Sequence, residues 1–145
     1  MPVSDAMTVR VVSVKPQATV QEAIARMLEE GIGAVAVCDG PQLVGIFTER
    51  DVLRVAGDGP LFGEIAVETV MTRRPVTVAP DDDLLGAAQL MADKRVRHLP
   101  VCQGDFLIGM IGIRDVLGRL LEQVANHDDD ARATARTLLA RASRV

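Results

Sequence analysis

Gly45-Ile46-Phe47-Thr48-Glu49-Arg50-Asp51 is an apolar run that passes through a hydroxyl and ends on a carboxylate. Sixty-four residues later the chain reads Gly109-Met110-Ile111-Gly112-Ile113-Arg114-Asp115, keeping the glycine, arginine and aspartate but replacing the hydroxyl with glycine. Extended outward, the same offset holds without a gap from Met7/Met71 to Leu53/Leu117. It pairs Met7-Thr8 with Met71-Thr72, Pro16 with Pro80, Ala23 with Ala87, Met27 with Met91, Cys38 with Cys102 and Gly40 with Gly104. One unit is used twice, and self-similarity of this kind decides the architecture before any local propensity does.

Within a unit, Val9 to Val14 predicts a short strand stopped by Pro16, whose ring cannot continue a ladder. Thr19-Val20-Gln21-Glu22 is a capping box, and Val20, Ala23, Ile24, Met27 and Leu28 come after it at helical spacing until Gly31. The second copy uses Asp83 as its cap and repeats the stripe as Leu84, Ala87, Ala88 and Met91. Ala34 to Val37 and Leu43 to Phe47 flank the turn-forming Asp39-Gly40-Pro41-Gln42, and Leu99 to Cys102 and Phe106 to Ile111 repeat that hairpin. A second helix then starts at Thr48 or Gly112, so each unit reads β-α-β-β-α.

The domain reading places the first repeat at 1–56, a linker at 57–70, the second repeat at 71–122 and a helical extension at 123–145. In the extension, the α-helix after Leu117 is expected to run to about Asn126. Behind the acidic cluster His127 to Asp130, a final helix over Ala131 to Val145 carries Arg132, Arg136, Arg141 and Arg144 on one face.

Composition narrows the function. With 48% hydrophobic and 25% charged residues the chain is globular, and a unit of ~60 residues is marginal alone, which favours two halves sharing a core. A net charge of −4 gives no basic footprint for nucleic acid. No apolar run approaches the ~20 residues of a membrane span and the first residues lack a leader's apolar core, so no membrane association and a cytoplasmic location are expected. Two cysteines without a CxxC spacing predict reduced, packed thiols. With two histidines, no Tyr or Trp, and none of HExxH, GxSxG, GxxxxGK[ST] or GxGxxG, no catalytic residues, no metal site and no required cofactor are expected.

The chemistry available to the repeated stretch is specific. A strand turning directly into a helix exposes unpaired N–H groups at the positive end of the dipole, a seat for phosphate. Thr48 adds a hydroxyl there, and one turn on, Asp51 can accept hydrogen bonds from both hydroxyls of a ribose. The same four residues also fit a plain helix cap, Thr48 with Asp51 three residues on. Spacing alone leaves both readings open.

The repeated unit, with Gly-Ile-Phe-Thr-Glu-Arg-Asp at its last helix, Val-Met-Thr-Arg-Arg-Pro opening the second copy and Arg97-His98-Leu99-Pro100-Val101 on its strand, resembles the CBS domain. Two in tandem resemble a Bateman module, over about Met7 to Glu122. The resemblance implies an α/β (α+β) fold, two β-α-β-β-α repeats packed about a pseudo-twofold axis with the C-terminal helix added. It further implies two clefts for adenosine-containing ligands (AMP, ADP or ATP, with NAD or S-adenosylmethionine as alternatives), a homodimer, and a regulatory rather than enzymatic role towards a partner protein.

By that likeness Thr48 and Asp51 become ligand contacts in one cleft, and Asp115 and Gly112 their counterparts in the other. Arg97 and His98 become candidates for ligand phosphates, with weaker candidates in Arg50 and Arg114. Because Gly112 lacks the hydroxyl, the two sites are expected to be unequal, the Thr48/Asp51 site being the stronger. The alternative is a ligand-free dimerisation or protein-interaction module.

Overall fold

The computed structural model describes residues 1–59, 61–125, 136, 137 and 140. In chain order its elements are β1 (Ser13–Val14), α1 (Val20–Glu30), β2 (Ala34–Asp39), β3 (Gln42–Thr48), α2 (Glu49–Gly57), β4 (Thr72–Arg73), α3 (Leu84–Lys94), β5 (His98–Gln103), β6 (Phe106–Gly112) and α4 (Ile113–Ala125). Short 3-10 turns at Val3–Asp5 and Val67–Thr69 complete the set. The six strands form one mixed α/β sheet in the order β1-β2-β3-β6-β5, with β4 on β3. The first strand is shorter than Val9 to Val14 because only Ser13 and Val14 pair, in parallel with Ala36 and Val37. The expected helix over 131–145 lies outside the described residues except at Arg136, Thr137 and Ala140, of which Arg136 and Thr137 and then Ala140 are helical. The acidic cluster and the predicted helix end at Asn126 lie outside them too. No helix among the described residues is long and apolar enough to cross a membrane.

The chain divides into two compact units, and their bounds differ from those of the repeats. One unit comprises Thr8–Thr77 with Pro100–Met110, the other Met1–Met7 with Val78–Leu99 and the chain from Ile111 onward. In the first unit Val20, Ala23 and Met27 of α1 close over Val35, Val37 and Phe47, and the core is completed by Val67 and Met71. Residues 57–70, read as a linker, thus carry part of this core: Val67 is fully buried, with Phe62, Ile65 and Val70 packed beside it. Burying one valine side chain contributes about 1.5–3 kcal/mol. The segment also closes the helix start, because the Val20 N–H donates to the Ile65 carbonyl at 2.8 Å and the Val67 N–H to the Ala18 carbonyl at 2.7 Å.

The second unit repeats these bonds at the same offset, with the first residues of the chain in the role of that segment. The Leu84 N–H donates to the Met1 carbonyl (2.8 Å) and the Val3 N–H to the Asp82 carbonyl (2.8 Å), and Val3 is fully buried with Leu84, Ala87, Met91, Leu99 and Ile111 at or below 2% exposure. The periodicity therefore reaches back to Met1/Ile65, beyond the run that starts at Met7/Met71, because backbone bonds and the valine pair Val3/Val67 carry it.

Two local expectations are corrected. Asp83 stands at the N-cap of α3 but its side chain makes no capping bond; it lies 3.6 Å from the Met1 amine instead, while Met1 supplies the carbonyl for the Leu84 N–H. Leu28, assigned to the apolar stripe of α1, is 78% exposed, because it sits about 100° round the helix from Met27. By contrast Thr19 and Glu22 form the full capping box.

The αL position that ends the first helix of each repeat is filled differently. Gly31 takes φ 64° after α1, whereas Arg95 takes φ 56° after α3. A side chain there costs about 1–2 kcal/mol, partly offset in the unfolded chain. Arg95→Gly is expected to raise stability by about 0.5–1 kcal/mol and Gly31→Ala to lower it by about 1 kcal/mol, measured by urea denaturation.

Candidate functional site

The chain leaves β3 and enters α2 at Thr48, which is extended (φ −122°, ψ 169°) and acts as N-cap. Its N–H donates to Asp51 Oδ2 at 3.0 Å and its hydroxyl to the same oxygen at 3.2 Å. The Asp51 N–H returns a bond to Thr48 Oγ1 at 3.4 Å. Thr48 and Asp51, predicted as ligand contacts, therefore stand together as a capping box. The Asp51 side chain is only 10% exposed, and a buried carboxylate must be satisfied by donors. Arg54 Nη2 supplies one to Oδ1 at 3.0 Å and also donates to the Val70 carbonyl at 2.7 Å. Sequence reasoning missed Arg54, although an Asp–Arg pair at i,i+3 on a helix was there to be read.

Gly45, which opens the motif on β3, is held to glycine by a neighbour. A Cβ there would collide with Met71, whose Cγ and Cε would lie 2.9 Å away. Since Met71 is itself buried in the core, Gly45→Ala is expected to lower the stability by about 1–3 kcal/mol, read from the midpoint of thermal or denaturant unfolding. Residues Gly45 and Ile46 also pair with Arg73 and Thr72 of β4, so the motif strand, the buried methionine and the start of the second repeat meet here.

In the other unit, β6 enters α4 through Gly112, whose N–H donates to Asp115 Oδ2 at 2.9 Å. The N–H of Ile113 donates to the Arg97 carbonyl at 2.9 Å, as that of Glu49 does to the Gly33 carbonyl at 3.0 Å. A Cβ on Gly112 would meet His98 Cδ2 at 3.4 Å, Asp115 Oδ2 at 3.5 Å and the Arg97 carbonyl at 3.7 Å. The structure thus groups Gly112, Asp115 and His98 with the Arg97 backbone, and the Arg97 side chain is exposed. Across from the glycine that replaces Arg97 in the first repeat, Gly33, lies the Glu49 carboxylate, 3.3 Å from a Cβ built there. The two junctions therefore differ in their neighbours as well as in the hydroxyl: Glu49 lies by Gly33 and Arg54 holds Asp51 at the first, whereas His98 lies by Gly112 at the second. Arg50 and Arg114 lie exposed on the first turns of α2 and α4.

Cys38 and Cys102 are free and buried. Burial pushes both thiols above their ordinary value near 9; the charge of Cys102 further opposes the Cys38 thiolate, and Asp105 opposes that of Cys102. A folded-state pKa above the unfolded one means the neutral thiols stabilise the fold below pH 9, and this is lost as pH rises beyond it. The melting temperature is expected to fall as the pH rises above 9, and to fall less in Cys38→Ala/Cys102→Ala. An open groove of about 440 Å³ lies elsewhere, lined by Ser13, Val14, Lys15, Gln17, Ala18, Glu22 and Arg26, and none of the motif residues reaches it.

The same 64-residue spacing appears when the chain is compared with known proteins. The family model of the CBS domain matches twice, over residues 3–58 and 67–122. The CBS domain-containing protein YhcV of Bacillus subtilis is 36% identical over 115 residues, covering 79% of this chain and 81% of that protein. Among solved structures, a putative signal-transduction protein with CBS domains from Burkholderia ambifaria superposes with a TM-score of 0.73 at 36% identity, over 79% of this chain and 85% of that one. CBSX2, solved in complex with AMP, superposes with a TM-score of 0.73 at 27% identity, over 83% and 96%. From Val3 to Glu122, apart from the few residues between its two matches, this chain is a tandem pair of CBS domains and belongs to the CBS-domain family.

Proposed function

We propose that the protein is a regulatory module that binds an adenosine-containing ligand of the AMP, ADP or ATP type and signals its occupancy to a partner protein. The observation that carries this is the Asp51 carboxylate, buried one turn inside a strand-to-helix junction whose N-cap is a threonine. Asp51 accepts the ribose hydroxyls, and Thr48 with the first N–H groups of α2 takes phosphate. Asp115, Gly112, Arg97 and His98 serve the second site, with Arg50 and Arg114 as outer charges. A similar CBS pair, CBSX2, has been solved with AMP bound, which supports the ligand class. NAD and S-adenosylmethionine share the adenosine moiety and belong in the screen.

The test is a thermal-shift screen with AMP, ADP, ATP, NAD and S-adenosylmethionine at millimolar concentration. Ligand at about a hundred times its Kd adds about 2.7 kcal/mol, a rise of several degrees for a chain of this size. No shift with any of them overturns the reading.

One observation favours a second reading, a ligand-free homodimerisation or protein-interaction module: the Asp51 oxygens already have donors from the protein itself. On that reading Asp51→Ala leaves partner capture intact, and sedimentation gives a dimer whose mass is indifferent to nucleotide.

A further inference from the structure

Each unit ties the helix after its motif to the segment that completes its core, and the two do it differently. In the first, Arg54 of α2 donates to the Val70 carbonyl (2.7 Å). In the second, Arg119 of α4 donates to the Asp5 carbonyl (2.6 Å). The repeat equivalents of Arg119 and Asp5 are Val55 and Thr69, one residue from Arg54 and Val70. The tie is therefore kept while the arginine has moved one place along the helix. Arg54 uses the same nitrogen to hold Asp51, whereas Arg119 pairs with Glu122 at 3.5 Å, and the position equivalent to Arg54 is Gly118.

Ligand would meet this contact with a limited number of acceptor positions. A carboxylate offers about four. At Asp51, Oδ2 takes the Thr48 N–H and O–H, and Oδ1 takes Arg54. These bonds use three of the four, while a ribose diol brings two donors. The Thr48 N–H is fixed by the helix start and Arg54 is anchored at the Val70 carbonyl as well, so the donor that leaves with the fewest bonds broken is the Thr48 hydroxyl, and it turns toward the phosphate it is proposed to bind. The bond from Arg54 to Oδ1 then survives binding.

We infer that Arg54 is a positioning residue that locks the Asp51 carboxylate to the Val70 carbonyl, so that occupancy of the first site alone is transmitted to residues 70–73, the chain's route into its second repeat. This deepens the proposed function and rests on it for the ligand, but the lock itself exists without ligand. The transmitted signal has a path of direct bonds: Asp51 to Arg54, Arg54 to Val70, then β4 on Gly45 and Ile46 of β3.

Hydrogen exchange by mass spectrometry on the full chain tests both parts. Without ligand, Arg54→Met is expected to speed exchange at residues 70–73 by about fivefold, the scale of one partly exposed charge pair. Asp51→Asn does the same, and the double variant goes no faster than Arg54→Met. Arg119→Met speeds exchange near residues 4–6 and leaves 70–73 unchanged. With saturating AMP, residues 70–73 slow in the wild type and in Arg119→Met but not in Arg54→Met, whose Kd for AMP is about fivefold weaker, with Arg54→Lys in between. Unchanged exchange at 70–73 in Arg54→Met, additive effects in the double variant, or AMP protection surviving in Arg54→Met each overturns the inference. If the unliganded pattern holds but no adenosine compound binds the wild type, the ligand reading fails and the lock stands.

Discussion

Asp51→Asn is expected to lose nucleotide affinity by about ten- to hundredfold while the protein stays folded. The reasons are charge and place. The ionised carboxylate accepts hydroxyl donors with bonds about twice as strong as a neutral amide's, and loss of a hydrogen bond to a charged group costs about 1.5–3 kcal/mol. The substitution keeps the size of the side chain among its neighbours, so α2 retains an N3 acceptor for the Thr48 N–H and loses only about 1 kcal/mol of capping. Isothermal titration with AMP gives the affinity, and a melting curve on the same sample shows whether the fold survives. An unchanged Kd would remove Asp51 from the site and return it to the role of helix cap.

Titration of the wild type with AMP is expected to resolve two unequal sites, about ten- to hundredfold apart, with the tighter one lost in Asp51→Asn. The second site has the carboxylate of Asp115 and the basic neighbours His98 and Arg97 but no hydroxyl at Gly112. Gly112→Ser is the matching gain. A Cβ meets its nearest neighbour at 3.4 Å, an ordinary contact, and serine is a favoured N-cap residue. The variant is expected to tighten the weaker site by about tenfold and leave the other unchanged. Two equivalent sites in the wild type would refute the asymmetry.

Most elements of this fold, though not β4 or the length of β1, were legible in the sequence because the duplication supplied two readings of each one. Hairpin strands, the Thr19 capping box, the Gly31 stop and the packed methionines all came from side-chain period and turn chemistry. The role of residues 57–70 was not legible, since Gly57-Asp58-Gly59-Pro60 is a breaker and the apolar residues that pack after it, Phe62, Ile65, Val67 and Val70, follow neither a strand's period nor a helix's. Arg54 was missed for a related reason: half of its function is to reach the Val70 carbonyl, and no local spacing brings 54 to 70. At the motif the sequence offered a cap and a ligand contact as rivals. The geometry shows the cap formed, with the buried carboxylate that a ribose would need on the same residue.

The exchange of leading segments has a consequence for how such a chain can be divided. Met1 to Met7 completes the core around α3, and Ile65 to Met71 completes the core around α1, so each repeat carries the other's missing piece. Cutting the polypeptide between residues 59 and 61 would leave each fragment without the valine and the carbonyl that complete its core and its first helix, so each is expected to be less stable apart than in the other's presence. Joining the two repeats in one polypeptide makes both exchanges intramolecular, so neither depends on the concentration of a second copy.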